Sequence, residues 1–278
     1  MLVKKIKSLY SELTASEIKI ADYLLANIGN KKNITSTELA EIMDVSQSTI
    51  IRFSQKLGYK SFKLLAMDFS EEKEDTQDIE IKFSDSMYEI LEKVKANYES
   101  SIQIAFDSNE SSDFEKAAKE LDKSESIICF GYQATGGFAA YLSESLIELG
   151  KSAYYSNSLI DIKQRLLFLN AETDYIILIS KSGETKETNN IAEFAQNRGI
   201  RIISITNIGK NYLSDHSDIS INFLYNSQRA RLTAYTQNAG LVFIIDSLIL
   251  SIYRLNYAKY RKASIEFLKL SRPGEYED

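Results

Sequence analysis

Cysteine and histidine are almost absent from this chain: Cys129 and His216 are the only ones among 278 residues. A lone cysteine excludes a disulfide framework, and its place inside the apolar run IICF reads as a small core residue. One cysteine and one histidine supply too few ligands for a His/Cys metal centre, and no cofactor is expected. Positive charge is also short, with a net charge of −6. A uniformly basic nucleic-acid binder is therefore excluded, and any such binding has to come from a local patch. Long apolar runs are missing as well. No segment reaches the ~18 uninterrupted apolar residues of a membrane span, and the N-terminal MLVKKIKSLYSEL has neither the apolar stretch nor the cleavage site of a secretory leader. These absences give the expectation of a soluble, cytoplasmic protein without a membrane partner. What is present is an apolar share of 44%, ample for real cores, over a length that suggests about two domains.

The first part reads as helical. From Thr14 to Ile28, Ile18, Ala21, Leu24, Leu25 and Ile28 fall on one helical face, and Glu17 follows Thr14 at capping-box spacing. Thr35 and Glu38 repeat the arrangement before Leu39, Ala40, Ile42 and Met43. Asp44-Val45 breaks this second helix, Ser46 is the next N-cap, and Ile50, Phe53 and Leu57 share a face before Gly58, which suits a C′ position. Three short helices with a tight turn between the last two match a helix-turn-helix plan.

The third of these helices is unusual in what it offers to solvent. Its first turn carries Ser46, Gln47, Ser48 and Thr49, and its flank continues with Arg52 and Lys56, then Lys60 and Lys63 beyond it. From Val45 to Met67 there is no acidic residue, in a chain that is acidic overall. Short polar side chains at a helix start can reach base edges in the major groove, while Arg and Lys neutralise phosphates. The plainer reading is a solvated basic helix; the local charge reversal and the helix plan favour double-stranded DNA.

Residues 70 to 82, SEEKEDTQDIEIK, read as a linker or a solvated helix end. Met87, Ile90, Leu91, Val94, Tyr98 and Ile102 then recur at helical spacing over Ser86 to Phe106, which suits a connecting helix packed on a second domain or on its counterpart in a dimer. Asp113 to Leu121 forms another short helix. From Ser126 onward strands alternate with helices: Ile127 to Phe130, Ser152 to Tyr155, Asp174 to Ser180, Arg201 to Thr206 and Asp218 to Phe223. Strands with helical crossovers imply a three-layer α/β domain around a parallel sheet. A long apolar helix from about Tyr235 to Leu255 closes it, and its Asn, Asp and Arg residues favour a core or interface helix over a membrane span.

The third strand carries the most distinctive stretch, DYIILISKSGETKET. Ile176 to Ile179 are continuously apolar, as in a strand covered on both faces, and the chain then turns polar within two residues. Ser180, Ser182 and Thr185 surround Gly183 where the free N–H groups of a new helix would point, which suits a phosphate. A hydroxyl-capped turn with no ligand has the same letters, so both readings stand at this point.

Two segments resemble a known family. LTASEIKIADYLL followed by STELAEIMDVSQSTIIRFSQKLGYKSF is similar to the N-terminal helix-turn-helix domain of RpiR-type transcriptional regulators. That family carries a C-terminal sugar isomerase (SIS) domain, which residues 110 to 255 resemble. The resemblance implies a five-stranded, flavodoxin-like sheet of order 2-1-3-4-5, with the GYQATGG and SKSGET turns meeting at the switch point. It also implies that Ser180, Ser182 and Thr185, with backbone near Lys181 and Gly183, hold the phosphate of a phosphorylated sugar, with Gln133 and Thr135 on the other turn. The expected organisation is a DNA-binding domain over 1–77, a linker and connecting helix over 78–110, and a phosphosugar-binding domain over 111–278.

Three departures stand out. The usual GxGxS turn reads Gly131, Gln133, Thr135; the usual SPL after Thr206-Asn207 reads Asn211-Tyr212-Leu213; and Ser-Arg at the last long helix reads Gln237-Asn238. Each is expected on the sugar side of the pocket rather than the phosphate side. The resulting expectation is a regulator, not an enzyme, acting as a homodimer or homotetramer; a two-fold dimer sets two recognition helices about 34 to 36 Å apart on a pseudo-palindromic operator. The rival is a sugar-phosphate isomerase, with Glu184 and His216 as the visible acid-base candidates. Each also has a structural reading, Glu184 as an early-helix acid and His216 as a loop residue.

Overall fold

In this computed structural model, residues 2–10, 13–27, 34–71, 81, 83–225 and 236–271 are described. The chain divides into two compact units, Met1–Ser108 with Phe223–Gly240, and Asn109–Asn222 with Leu241–Asp278.

The first unit begins with α1 (Leu2–Leu9), α2 (Ala15–Ala26), α3 (Ser36–Met43), α4 (Gln47–Lys56) and α5 (Phe62–Glu71). Capping boxes at Thr14 and Thr35 set two of the starts, each hydroxyl accepting the N–H three residues on while the glutamate side chain accepts the cap N–H. Asp44 ends α3 in the left-handed region, φ 51°, a conformation that Asp tolerates better than most residues because its short side chain bonds locally. Two residues later Ser46 opens α4, so the α3–α4 turn is tight. Gly58, φ 82°, follows α4 where a residue with a Cβ would be strained. Leu2, Ile6, Ile20, Leu24, Leu39, Ile50, Phe53 and Leu65 form the buried core. The sequence reading omitted α1 and α5, which lie outside the three-helix motif but add Leu2, Ile6 and Leu65 to its core. Ile28 lies outside the described residues.

The unit continues with α6 (Met87–Asp107), opened by a capping box at Ser86 and Glu89. Its buried face is small and polar, Asn97, Ser101 and Ala105. Ser101 Oγ donates to Gln237 O at 3.0 Å and accepts from Gly240 N at 3.0 Å. The residues that helical spacing singles out behave differently: Met87, Leu91, Tyr98 and Ile102 are exposed. Most of the expected linker, 72–80 and 82, lies outside the described residues.

The second unit opens with α7 (Ser111–Lys123) and β1 (Ile127–Gly131), then α8 (Gly136–Glu148), β2 (Ala153–Tyr155), α9 (Leu159–Leu166), β3 (Tyr175–Ser180), α10 (Lys186–Gln196), β4 (Arg201–Asn207), the single turn α11 (Tyr212–Asp215) and β5 (Ile219–Phe223). The sheet order is β2-β1-β3-β4-β5, with parallel register Cys129↔Tyr155, Gly131↔Ile179 and Ser180↔Thr206. β1 and β3 are buried along their whole length, as strands covered on both faces must be. Ile128, Phe130, Ile176, Leu178, Ile191 and Ile202 centre the core on one face of the sheet. α12 (Asn238–Leu255) and α13 (Tyr257–Ser271) follow. By length and composition α12 is apolar enough to cross a membrane; it buries Leu241, Ile244, Ile245, Leu248 and Ile252 at helical spacing on one face. Tyr235, the expected start of that helix, lies outside the described residues. The helix α9 was not read from sequence, although Ser158, whose side chain accepts the N–H of Asp161, has a legible N-cap spacing.

Candidate functional site

The first candidate surface is α4. Ser46, Gln47, Ser48 and Arg52 are exposed, Thr49 is half-buried, and Lys60 and Lys63 beyond the helix are exposed. Ser46 accepts the Thr49 N–H at 3.2 Å, and its hydroxyl lies 2.7 Å from that of Ser48 and 2.8 Å from that of Thr49, so the first turn is one hydroxyl cluster. Gln47 Nε2 donates to Ser36 Oγ at 3.0 Å and Thr37 Oγ1 at 3.2 Å, tying the start of α4 to that of α3. Among the described residues, Arg52, Lys60 and Lys63 form no ion pair. Lys56 differs from them: its ammonium bonds Glu17 of α2 at 2.9 Å. The exposed cations of this surface are thus Arg52, Lys60 and Lys63, while Lys56 clamps two helices together.

Partial burial pushes the Glu17 carboxyl up, but the Thr14 N–H and Lys56 more than offset this and hold it below the usual glutamate range. A carboxylate depressed in the folded state contributes stability above its unfolded pKa and loses it as pH falls through the folded value. The first unit should therefore melt at lower temperature once pH drops below ~4.3, and Glu17→Gln should flatten that part of the profile, measured by circular dichroism against pH.

The second candidate site lies at the carboxyl ends of β1 and β3. The pairing Gly131↔Ile179 brings the turns that leave these strands side by side, and β1 is followed in sequence by β2 on one side while β3 is followed by β4 on the other. This is the topological switch point at which open α/β sheets bind ligands. Elsewhere among the described residues, the N-cap side chains Thr14, Thr35, Ser46, Ser86, Ser158 and Asn211 each accept an N–H from the helix they open, whereas Glu110 before α7 makes no side-chain cap bond. The switch point brings two such uncapped starts side by side. Neither Thr135 before α8 nor Thr185 before α10 closes its helix with its side chain. Thr185 Oγ1 instead accepts from Ser180 Oγ at 3.2 Å, and Thr135 Oγ1 donates back to Tyr132 O at 3.0 Å. Two adjacent helix starts without a side-chain cap provide backbone N–H groups and the positive dipole ends that favour an anion.

Within SKSGET, Ser180 is buried and its Oγ accepts the Gly183 N–H at 3.1 Å, folding the turn back on the strand. Ser182 is exposed, and its Oγ accepts the Glu184 N–H at 3.1 Å. Lys181 is half-buried, and that burial draws its ammonium below the ordinary lysine range. Gly183 has φ 71°. On the other turn, Thr135 is buried and Gln133 exposed, with φ 51° at Gln133. A left-handed conformation costs a residue with a Cβ roughly 1–2 kcal/mol. The amide at this position therefore sits on a backbone that a glycine would adopt freely.

The structure corrects one expectation. Asn211 is expected on the sugar side, away from SKSGET, yet it stands against that turn: a Cβ on Gly183 would lie 1.9 Å from Asn211 Oδ1. Its side chain accepts the Ser214 N–H at 3.0 Å and donates to Asn207 O and Gly209 O, both at 3.1 Å. The rest of α11 holds the same turn. Leu213 N–H donates to Gly183 O at 3.1 Å, and Tyr212 N–H to Glu184 Oε1 at 2.8 Å. His216 stacks on Tyr212, with centroids 3.9 Å apart, and its Nδ1 lies 2.7 Å from Tyr212 O. A carbonyl only accepts, so Nδ1 carries the proton of that bond. The two acid-base candidates are thus both engaged by α11. Sequence reasoning missed this clamp, whose one local signal is the Asn211–Ser214 capping spacing.

Comparison with known proteins covers both candidates. The helix-turn-helix domain of the rpiR family matches residues 1–76, and the SIS domain matches residues 120–247. The chain is 28% identical over 257 residues to the uncharacterized HTH-type transcriptional regulator YbbH of Bacillus subtilis, covering 91% of this chain and 90% of that protein. It is 26% identical over 224 residues to an uncharacterized HTH-type transcriptional regulator of Haemophilus influenzae, covering 78% and 77% of the two. The NanR protein of Vibrio vulnificus, solved in complex with ManNAc-6P, covers 97% of each chain at 22% identity with a TM-score of 0.62, a likeness of fold.

Proposed function

Because the chain carries a helix-turn-helix domain of the rpiR family at residues 1–76 and a SIS domain at 120–247, we propose that it is a cytoplasmic transcriptional regulator that reads duplex DNA with α4 and senses a phosphorylated sugar at the switch point. The observation that carries this reading is the pair of helix starts, α8 and α10, left without side-chain caps at adjacent strand ends. Ser46, Gln47, Ser48 and Thr49 would face base edges, and Arg52, Lys60 and Lys63 the phosphates. Ser180, Ser182, Thr185 and the backbone around Lys181 and Gly183 would hold the effector phosphate, with Thr135 and Gln133 beside it. The ligand of NanR, ManNAc-6P, belongs to the class of effector proposed.

The isomerase reading is the weaker one. Aldose–ketose exchange needs a general base and acid at the sugar carbonyl, while the Glu184 carboxylate and the His216 ring are both bonded to Tyr212. Residues 1–77 would form the DNA-binding domain and 111–278 the sensing domain. The exposed stripe Met87, Leu91, Tyr98 and Ile102 on α6 suits a homodimer contact. The effector would act through different affinities for DNA-competent and incompetent arrangements, a coupling of typically ~1–3 kcal/mol.

A thermal-shift screen of hexose, pentose and N-acetylamino-sugar phosphates on the full chain tests this. One compound should raise the melting temperature and change affinity for duplexes selected from a random library. At a hundredfold excess over Kd the stabilisation should be ~2.7 kcal/mol. Ser182→Ala with Thr185→Ala should erase that shift and leave DNA binding intact. Turnover of any sugar phosphate, abolished by Glu184→Gln, would overturn the regulator reading.

A further inference from the structure

Strand β2 ends in two tyrosines whose side chains point to opposite faces, as strand geometry requires. Tyr154 is fully engaged: its hydroxyl donates to Asp161 Oδ2 at 2.6 Å, and the Arg165 guanidinium lies 3.2 Å from its ring centroid. Tyr155, on the other face, is half-buried and reaches forward over the start of α8. A Cβ on Gly136 would lie 2.9 Å from Tyr155 Oη. Among the described residues that hydroxyl has no hydrogen-bond partner. A phenol held against the uncapped start of α8, with no partner among the described residues, has its donor available to a group bound at that helix start.

Which part of an effector it would meet follows from the strand order. β1 separates β2 from β3, and neighbouring strands lie ≈ 4.8 Å apart, so β2 stands about 10 Å from the strand that carries SKSGET. Tyr155 is at the end of the site away from the phosphate turn. Resting on the sensing function proposed above, we propose that the Tyr155 hydroxyl hydrogen-bonds a hydroxyl group of the effector's sugar, and that Gly136 lacks a side chain so that it can. Tyr155 is then a specificity-determining residue. An effector lacking the hydroxyl leaves the phenol unpaired against the protein, which is how such sites discriminate.

The test is calorimetric titration of the full chain and of Tyr155→Phe with the sugar phosphate that stabilises the wild type best, with its deoxy analogues, and with inorganic phosphate. Tyr155→Phe should bind the sugar phosphate about 3- to 10-fold more weakly, the effect of one neutral hydrogen bond, and inorganic phosphate equally well. One deoxy analogue should bind both proteins alike. Tyr154→Phe should lower the melting temperature without changing affinity, which separates a structural tyrosine from a reading one. Equal sugar-phosphate affinity in Tyr155→Phe, or an equal loss for inorganic phosphate, would overturn this inference alone. A wild-type chain that binds none of these compounds would overturn the sensing site and this inference with it.

Discussion

Gly183→Ala should abolish sugar-phosphate binding and destabilise the SKSGET turn. Two effects add. At φ 71° a Cβ is strained by roughly 1–2 kcal/mol. The same Cβ would lie 1.9 Å from Asn211 Oδ1 and 2.2 Å from Asn211 Cγ, so the asparagine has to move. Moving it breaks its bonds to Ser214 N–H, Asn207 O and Gly209 O, each worth ~0.5–1.5 kcal/mol. The total, on the order of 3–5 kcal/mol, lies in the upper tail for single substitutions. Thermal shift with and without the effector measures both consequences. Adding Asn211→Gly removes the overlap but not the left-handed strain, so the double variant should regain part of the lost stability, and the cycle isolates the contact. Native effector affinity in Gly183→Ala would show that the turn's geometry does not govern binding.

The second large effect is on DNA. Replacing Arg52, Lys60 and Lys63 with alanine should reduce the salt dependence of binding by about 2.7 in the slope of log K against log[salt] for each protomer on the duplex, at ~0.9 per cation. Affinity near 0.1 M salt should fall on the order of 10²- to 10³-fold, for every sequence alike. Ser48→Ala should behave differently, changing preference among sequences with little change in slope, because base contacts specify while phosphate contacts position. Lys56→Ala should act mainly through the lost Glu17 pair, a modest stability effect of ≲1 kcal/mol at this exposure. Gel-shift titrations over a range of salt concentrations distinguish these outcomes. A salt slope that the triple variant leaves unchanged would remove this helix from the DNA interface.

The elements legible in the sequence share one property: their determinants lie within a few residues of one another. Thr14 with Glu17, Thr35 with Glu38 and Ser46 before its apolar face announce three helices because capping bonds span three positions. The continuous run Ile176 to Ile179 announces a buried parallel strand, and the hydroxyls around Gly183 a turn suited to an anion. On α6 the periodicity found the helix but not which side it buries: Asn97, Ser101 and Ala105 face inward while Leu91 and Tyr98 stay outside. A spacing pattern marks an apolar face without saying what, if anything, covers it.

The helix-turn-helix plan, the strand–helix alternation and the SKSGET turn are all legible in the residues alone, since caps, periodicity and turn chemistry are local. What each of these residues touches follows from the tertiary structure alone. Lys56 meets Glu17 across 39 positions, Asn211 and Tyr212 clamp Gly183 and Glu184 across 28, and Tyr155 reaches Gly136 from the neighbouring strand. These pairings depend on how crossovers return the chain to the sheet, and residue spacing carries no record of that path.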